Sequence, residues 1–204
     1  VMIDRDLPGL EVDAVLTDNR QGGYLATQHL LQLGHRRIGC ITGPSSLTPS
    51  SGRVAGYLAA LAEHSIPADD RLLVRGDFHP QSGWTAAHTL LELDKPPTAI
   101  FAGNDLMAIG ALRAISEAGL RVPEDISLVG FDNIELASYT DPPLTTVAPP
   151  IQGIGSMAVG FLLERIRDQQ LAFRRVILPV SLIVRKSSKE NPLTAKINNP
   201  GGAY

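Results

Sequence analysis

Apolar residues fall into two alternating patterns along this chain. Some form short unbroken runs, and others recur every three or four positions over a longer stretch. The clearest example is PTAIFAGNDLMAIGALRAISEAGLRVPEDISLVGFDN at 97–133. The run at 99–102 has the continuous apolar character of a strand buried on both faces. Gly103 breaks it, and Asn104-Asp105 offers a side-chain oxygen to cap a helix. Leu106, Ile109, Ala111, Leu112, Ile115 and Leu120 then mark one helical face, which Gly119 and Pro123 bring to an end. A second apolar run, 126–131, stops at Asp132-Asn133. The pattern predicts a βαβ unit with a right-handed crossover. Ligands of open α/β sheets sit beyond the carboxyl ends of the strands, so Asn104, Asp105 and Asp132 are expected where a ligand would be read.

The same rhythm runs through the first two thirds of the chain. Strands are predicted at 1–3, 12–17, 38–42 and 72–75, and helices at 24–33, 53–62 and 82–93, with a Ser- and Pro-rich loop at 43–52. This alternation argues for a parallel sheet covered by helices on both faces. After Asp132 the rhythm changes. Residues 134–139 have room for only a short helix, 144–147 form a brief extended piece, and 151–167 show helical spacing. A strand pair or edge strand at 176–184 is interrupted by Pro179. From 186 onward apolar periodicity is lost and a frayed tail is expected. The chain opens directly on a strand, as though an earlier part of a domain were absent.

Composition narrows the function classes. The 204 residues suit one or two domains, with 44% hydrophobic and 19% charged residues, ordinary for a globular protein. A net charge of −3 without a basic block makes this stretch a poor nucleic-acid binder by itself, because phosphate contacts need clustered Lys and Arg. The single cysteine, Cys40, excludes an internal disulfide and fits a reducing cytoplasm. No apolar run approaches the roughly 18 residues of a membrane span, and the first residues have neither the charge nor the apolar stretch of a secretion signal.

Five strands are predicted to end in polar or turn residues: Asp18-Asn19, Gly43-Pro44, Asp77-Phe78, Asn104-Asp105 and Asp132-Asn133. On one rim, such groups can fork to vicinal hydroxyls or ring nitrogens, with Phe78 against a flat face. Capping of the next helix is the alternative at each site and the commoner role. At Asp132 a ligand role is favoured, since the helix after it is short. Arg53 is predicted to open a helix, where the dipole disfavours a cation. A ligand oxygen or a neighbouring carboxylate would account for it. Enzymatic signals are weak: no GxGxxG, GxxxxGK[ST] or GxSxG occurs. The five histidines (29, 35, 64, 79, 88) lack metal spacing and are expected to be solvated or capping. Cys40 sits in the apolar strand IGCIT, as an inert thiol would. No catalytic residue, metal ligand or cofactor is expected.

Six phrases occur in order: GHRRIGCITGP at 34–44, RVAGYLAAL at 53–61, GDFHPQSG at 76–83, PPTAIFAGNDLMAIGAL at 96–112, VPEDISLVGFDN at 122–133 and PPLTTV at 142–147. From residue 1 to about 187 the chain resembles the sensor core of the lactose/galactose-repressor (LacI/GalR) family of bacterial transcription regulators. The resemblance implies an α/β fold of two lobes, periplasmic-binding-protein-like (type I), with doubly wound parallel sheets and the first lobe incomplete. It places residues 1–35 and 148–170 in the N-terminal lobe, 36–147 and 171–187 in the C-terminal lobe, and 188–204 in a disordered tail. The crossings between lobes are then expected near 35–37, 147–149 and 170–174. It implies an effector in the cleft, lined by Arg53, Phe78, Asn104 and Asp132 from the second lobe and by Asp18 and Ile151 from the first lobe or crossover. It also implies a homodimer using Ile109, Leu112 and the segment near Tyr139, in a cytoplasmic protein with no membrane contact.

The family's helix-turn-helix, hinge and first half of the N-terminal lobe are not in this sequence, so operator DNA would be reached only through a domain outside it. The loop Leu47-Thr48-Pro49 lacks the cationic and hydroxyl pair that some purine-responsive members place there, which favours a sugar over a purine. A transport-type sugar-binding protein is the alternative, distinguished by an upstream secretion signal and a monomeric state. An enzyme on a doubly wound fold is the third, and it lacks the motifs for chemistry.

Overall fold

A computed structural model describes residues 1–7 and 9–191; most of the expected tail, from 192 onward, lies outside that range. The chain begins with β1 (Met2–Ile3) and β2 (Ala14–Thr17), then α1 (Asn19–Gln32), β3 (Ile38–Thr42), α2 (Thr48–Glu63) and β4 (Leu73–Arg75). It continues through α3 (Pro80–Leu91), β5 (Ala99–Ala102), α4 (Asp105–Glu117), β6 (Ser127–Phe131) and β7 (Thr145–Ala148), and ends with α5 (Ile151–Arg167), β8 (Arg175–Leu178) and β9 (Ser181–Ile183). Short 3₁₀ turns occupy Asp70–Leu72 and Glu135–Ser138. The βαβ unit at the centre of the sequence pattern is present as β5-α4-β6, its strands paired in parallel.

Six strands form one sheet in the order β4-β3-β5-β6-β7-β9, parallel except for β9, which runs antiparallel to β7. Alternation along each strand splits its side chains between two cores. Cys40, Phe101 and Val129 face Ala26, Leu30, Tyr57 and Leu61 of α1 and α2. Ile41, Ile100 and Leu128 face Leu90, Met107 and Ile115 of α3 and α4. Each such large side chain contributes about 1.5–3 kcal/mol on burial. The helices pair backbone to backbone through glycine: a Cβ on Gly56 would lie 2.0 Å from Arg20 O, and one on Gly110 1.9 Å from Pro80 O. The strand order reverses at β3, so the crevice beyond β3 and β5 is the switch point of this sheet.

A second, three-stranded parallel sheet has the order β1-β2-β8. Its core is small, with Val15, Ile154 and Ala158 buried together under α5. Asp13, just before β2, has its side chain almost fully buried and is paired with Arg165 at 3.0 Å and Arg174 at 3.2 Å. Among the described residues no helix is long and apolar enough to cross a membrane.

Several expected boundaries differ from the structure. The chain passes between the sheets around 17–19, 148–151 and 178–181. The passage expected near 35–37 is absent because α1 packs its Ala26, Leu30 and Leu31 into the core of the larger sheet. The one expected near 170–174 lies later because β8 pairs with β2, in the smaller sheet. The loop expected at 43–52 becomes helix at Thr48, with Pro49 in the first turn, where a missing N–H costs nothing. Residues 187–191, expected as loose chain, are held. The Ser187 hydroxyl donates to Leu128 O at 2.6 Å, and Asn191 N donates to Leu33 O at 2.8 Å. His35, expected to be solvated or capping, is 1% exposed. Its ring reaches Thr98 Oγ1, Ser127 Oγ and Lys189 O at 2.9–3.1 Å, and burial lowers its pKa.

Candidate functional site

Arg53 organises the carboxyl-end rim of the larger sheet. It lies in the second turn of α2 rather than at its start, so its reason for being there is the partners it reaches. Its guanidinium donates to Asn19 Oδ1 at 2.8 Å and to the carbonyl of Gly103 after β5, and pairs with Asp132 Oδ1 at 3.3 Å. It lies 3.6 Å from the Phe131 ring centroid and 5.8 Å from that of Phe78, within cation–π range. Of the two explanations left open by the sequence, the structure supplies the neighbouring carboxylate, Asp132, which keeps about a third of its side chain exposed. Burial pushes the Asp132 carboxyl above its usual range, against the pull of Arg53.

Two loops present three side chains in backbone conformations that L-residues rarely adopt. Phe78 has φ +72°, Asp132 +107° and Asn133 +50°. Such conformations persist where the surroundings over-determine them, and they cluster at functional sites. The far end of the Phe78 ring lies against Gly43, where a Cβ would come 2.2 Å from its Cζ. Asn104 caps α4 by accepting from Met107 N at 2.9 Å and holds the Phe78 loop by donating to Phe78 O at 3.0 Å. Capping, the commoner alternative, is thus present at Asn104 and equally at Asp18, which accepts from Gln21 N at 2.8 Å.

Arg53, Phe78, Asn104 and Asp132 line one hollow of about 440 Å³, whose wall is completed by Asp4, Leu47, Pro49 and Leu106 among others. The other expected positions are elsewhere. Asp18 faces a neighbouring hollow that shares Asp4 and Pro49. Ile151, first residue of α5, is 64% exposed and lines neither. Asp105, expected at the rim, turns into the core and is fully buried. Asp4 was not among the expected residues, yet it follows β1 as Asp132 follows β6, and that shared signal could have found it. Asp4 accepts from Thr17 N at 3.1 Å and Asn19 Nδ2 at 3.3 Å. Cys40 is buried and its thiol pKa pushed up, which removes it as a nucleophile. Ile109 and Leu112 on α4 are half-buried, Leu112 packing in part against the core beneath that helix, and Tyr139 is exposed.

Two wound sheets with polar loops gathered at a sheet's carboxyl end define a periplasmic binding protein-like domain, and the model of that domain family matches residues 27–188. The chain is 44% identical over 180 residues to the HTH-type transcriptional repressor PurR of Edwardsiella ictaluri (strain 93-146), covering 88% of this chain and 53% of that protein. It is 41% identical over 192 residues to the HTH-type transcriptional repressor CytR of Escherichia coli (strain K12), covering 94% and 56%. The chain therefore spans about half the length of the curated relatives it matches. A LacI family transcriptional regulator from Enterococcus faecium, solved with bound ribose, superposes with a TM-score of 0.84 at 36% identity, over 93% of this chain and 70% of that one. The transcriptional regulator CelR–cellobiose complex superposes with 0.87 at 37% identity, over 91% and 57%. The chain belongs to the LacI family of transcriptional regulators and covers its effector-binding core. The curated relatives are repressors, not enzymes.

Proposed function

We propose that this chain is the effector-binding and dimerisation portion of a bacterial LacI-type regulator. In the intact cytoplasmic protein, a small polar molecule in the hollow then alters affinity for operator DNA. The observation that carries this is the convergence of Arg53, Phe78, Asn104 and Asp132 on one hollow beside the switch point of the larger sheet. The ligand we favour is a sugar. A guanidinium paired with a carboxylate offers donors and acceptors side by side to vicinal hydroxyls, and an aromatic face suits a sugar ring. Leu47 and Pro49 add no charged donor of their own to a wall that Arg5 also lines, and two structural neighbours hold ribose and cellobiose. A purine or nucleoside is the second reading, favoured by the identity with PurR and CytR. Asp18 and Ile151, at two of the passages between sheets and outside the hollow itself, join the ligand in this proposal only when the two sheets close on it.

In this proposal residues 1–17, α5 and β8 form one lobe, and α1 to β7 with β9 form the other. Ligand shifts their arrangement only by its differential affinity for the two states, typically about 1–3 kcal/mol. A homodimer uses Ile109 and Leu112 on α4 with Tyr139, which is 75% exposed. Titration calorimetry on the intact protein with ribose, cellobiose, adenosine, cytidine and hypoxanthine tests the site. Binding by a sugar, lost in Asp132→Ala, is the expected result. Binding only by the base or nucleosides transfers the proposal to the second reading. Heat from none of them, or undiminished binding by Asp132→Ala, refutes the ligand role.

A further inference from the structure

Beneath the hollow lies a carboxylate that faces no ligand. Asp105 is the first residue of α4 and fully buried. Helix N-termini favour carboxylates, but this one points across to the strands rather than to its own helix. Its Oδ2 accepts from Ile134 N at 2.9 Å, and its Oδ1 accepts from the Thr146 hydroxyl at 2.6 Å. The β6 strand makes room for it: a Cβ at Gly130 would come 2.2 Å from Asp105 Oδ1. The Thr146 oxygen in turn accepts from Asn133 N at 3.3 Å. Asn133 Oδ1 accepts from Arg185 at 2.7 Å, and Asp132 N donates to Val147 O at 2.9 Å. Three consecutive amides, at 132, 133 and 134, are therefore each tied down, and the first two belong to residues with positive φ.

Resting on the reading of the hollow as the effector site, we infer that Asp105 is a positioning residue for it: through Ile134 N and the Thr146 hydroxyl it locks Asp132 and Asn133 in left-handed backbone and so aims the Asp132 carboxylate at the ligand and Arg53. An unlocked loop relaxes toward negative φ, which swings the Asp132 side chain off the rim. β7 leaves the larger sheet shortly after Thr146, so the same bond anchors the loop to a strand that leads into the passage to α5. A carboxyl group presents two oxygens, one meeting the Ile134 amide and the other the Thr146 hydroxyl, which suits it to this task better than a serine or asparagine with a single acceptor oxygen.

The test uses the intact protein and reads loop and ligand separately. In Thr146→Val, close in shape but without the hydroxyl, amide exchange protection at Asn133 and Ile134 falls about tenfold or more, while protection in β5 and the urea midpoint of the parent are largely kept. Thr146→Ser restores it. Asp105→Ala gives the same local loss or a larger one. Where a sugar or nucleoside from the panel above binds the parent, affinity follows the same order, falling at least tenfold in Thr146→Val and returning in Thr146→Ser. Unchanged protection at 133 and 134 in both Thr146→Val and Asp105→Ala overturns the inference, as does loss spread evenly over the sheet. If no panel member binds the parent, the effector reading fails on its own while the exchange measurement still decides the lock. Loss of protection without loss of affinity leaves the loop held by Asp105 but rejects its positioning role.

Discussion

Replacing Arg53 by Met keeps most of the volume of the side chain and removes everything polar it does. The guanidinium is 6% exposed and has three polar partners: Asn19, Gly103 O and Asp132. Removing one partner of a buried ion pair costs about 3–5 kcal/mol, and a buried carbonyl left without its donor costs about 1–3 kcal/mol. Asp132 stays partly hydrated, so the cost should sit near the lower end, about 3 kcal/mol. With a urea dependence of about 2 kcal/mol per molar, the unfolding midpoint falls by about 1.5 M. Asp132→Asn behaves differently. Asparagine tolerates positive φ, burial already disfavours the carboxylate charge, and Arg53 keeps two other acceptors. Its stability should change by less than about 1 kcal/mol while ligand affinity falls. Paired urea unfolding and calorimetry on the intact variants check both. A midpoint shift below about 0.5 M for Arg53→Met, with binding retained, would refute Arg53 as the residue that holds this rim together.

The remaining predictions concern neighbouring features. Gly43→Ala forces the Phe78 ring to move, so ligand affinity should fall by an order of magnitude with little change in Tm; calorimetry and thermal unfolding separate the two effects. Gly56→Ala drives a methyl into the backbone of α1, and overpacking of this kind should cost about 1–3 kcal/mol in urea unfolding. Burial pushes the Asp105 carboxyl up to about 7, with its Thr146 and Ile134 donors opposing that rise, against about 3.9 in the unfolded chain. The folded state holds this proton more tightly, so the contribution is full below about pH 4 and declines as pH rises toward about 7, by up to about 1.4 kcal/mol per pH unit. Urea midpoints of the parent and Asp105→Asn from pH 5 to 8 should show that slope only in the parent. Asp13→Ala leaves Arg165 and Arg174 without their shared carboxylate and should lower amide protection across β2, β8 and α5 before that of the larger sheet, measured by hydrogen exchange.

Much of the larger sheet was legible because its strands are short apolar runs with helical spacing between them, and β5-α4-β6 follows directly from that. The starts of α1 and α2 were not. The first helix was expected only from residue 24, yet α1 runs through Gly22 and Gly23, where Phe131 and the Arg53 carbonyl lie against it. Ser, Pro and Gly at 48–52 read as loop, although Pro is at home in a first turn. Which sheet α1 covers could not be told from its own pattern, since an apolar face does not name its partner. Of the rim residues, Phe78, Asn104 and Asp132 were marked by their places just after strands, and Arg53 by a cation at an expected helix start. The inward turn of Asp105 was not, because it depends on the room left by Gly130 on the neighbouring strand. His35 likewise becomes a core residue only through Ser127 and Lys189, far along the chain.

β8 and β9 are separated by only two residues, yet one completes the smaller sheet and the other the larger. Beyond them, Asn191 reaches back to the carbonyls of Leu33 and Gly34 at the end of the first helix. During synthesis, then, neither half can finish until nearly all of this stretch has left the ribosome, and the earliest helix waits longest for its final contact. Pairings so distant in sequence slow the search for the native state, and the apolar edges of β2 and β7 stay open meanwhile to wrong partners. A nascent chain stalled just short of residue 175 should therefore be the form that most needs a chaperone.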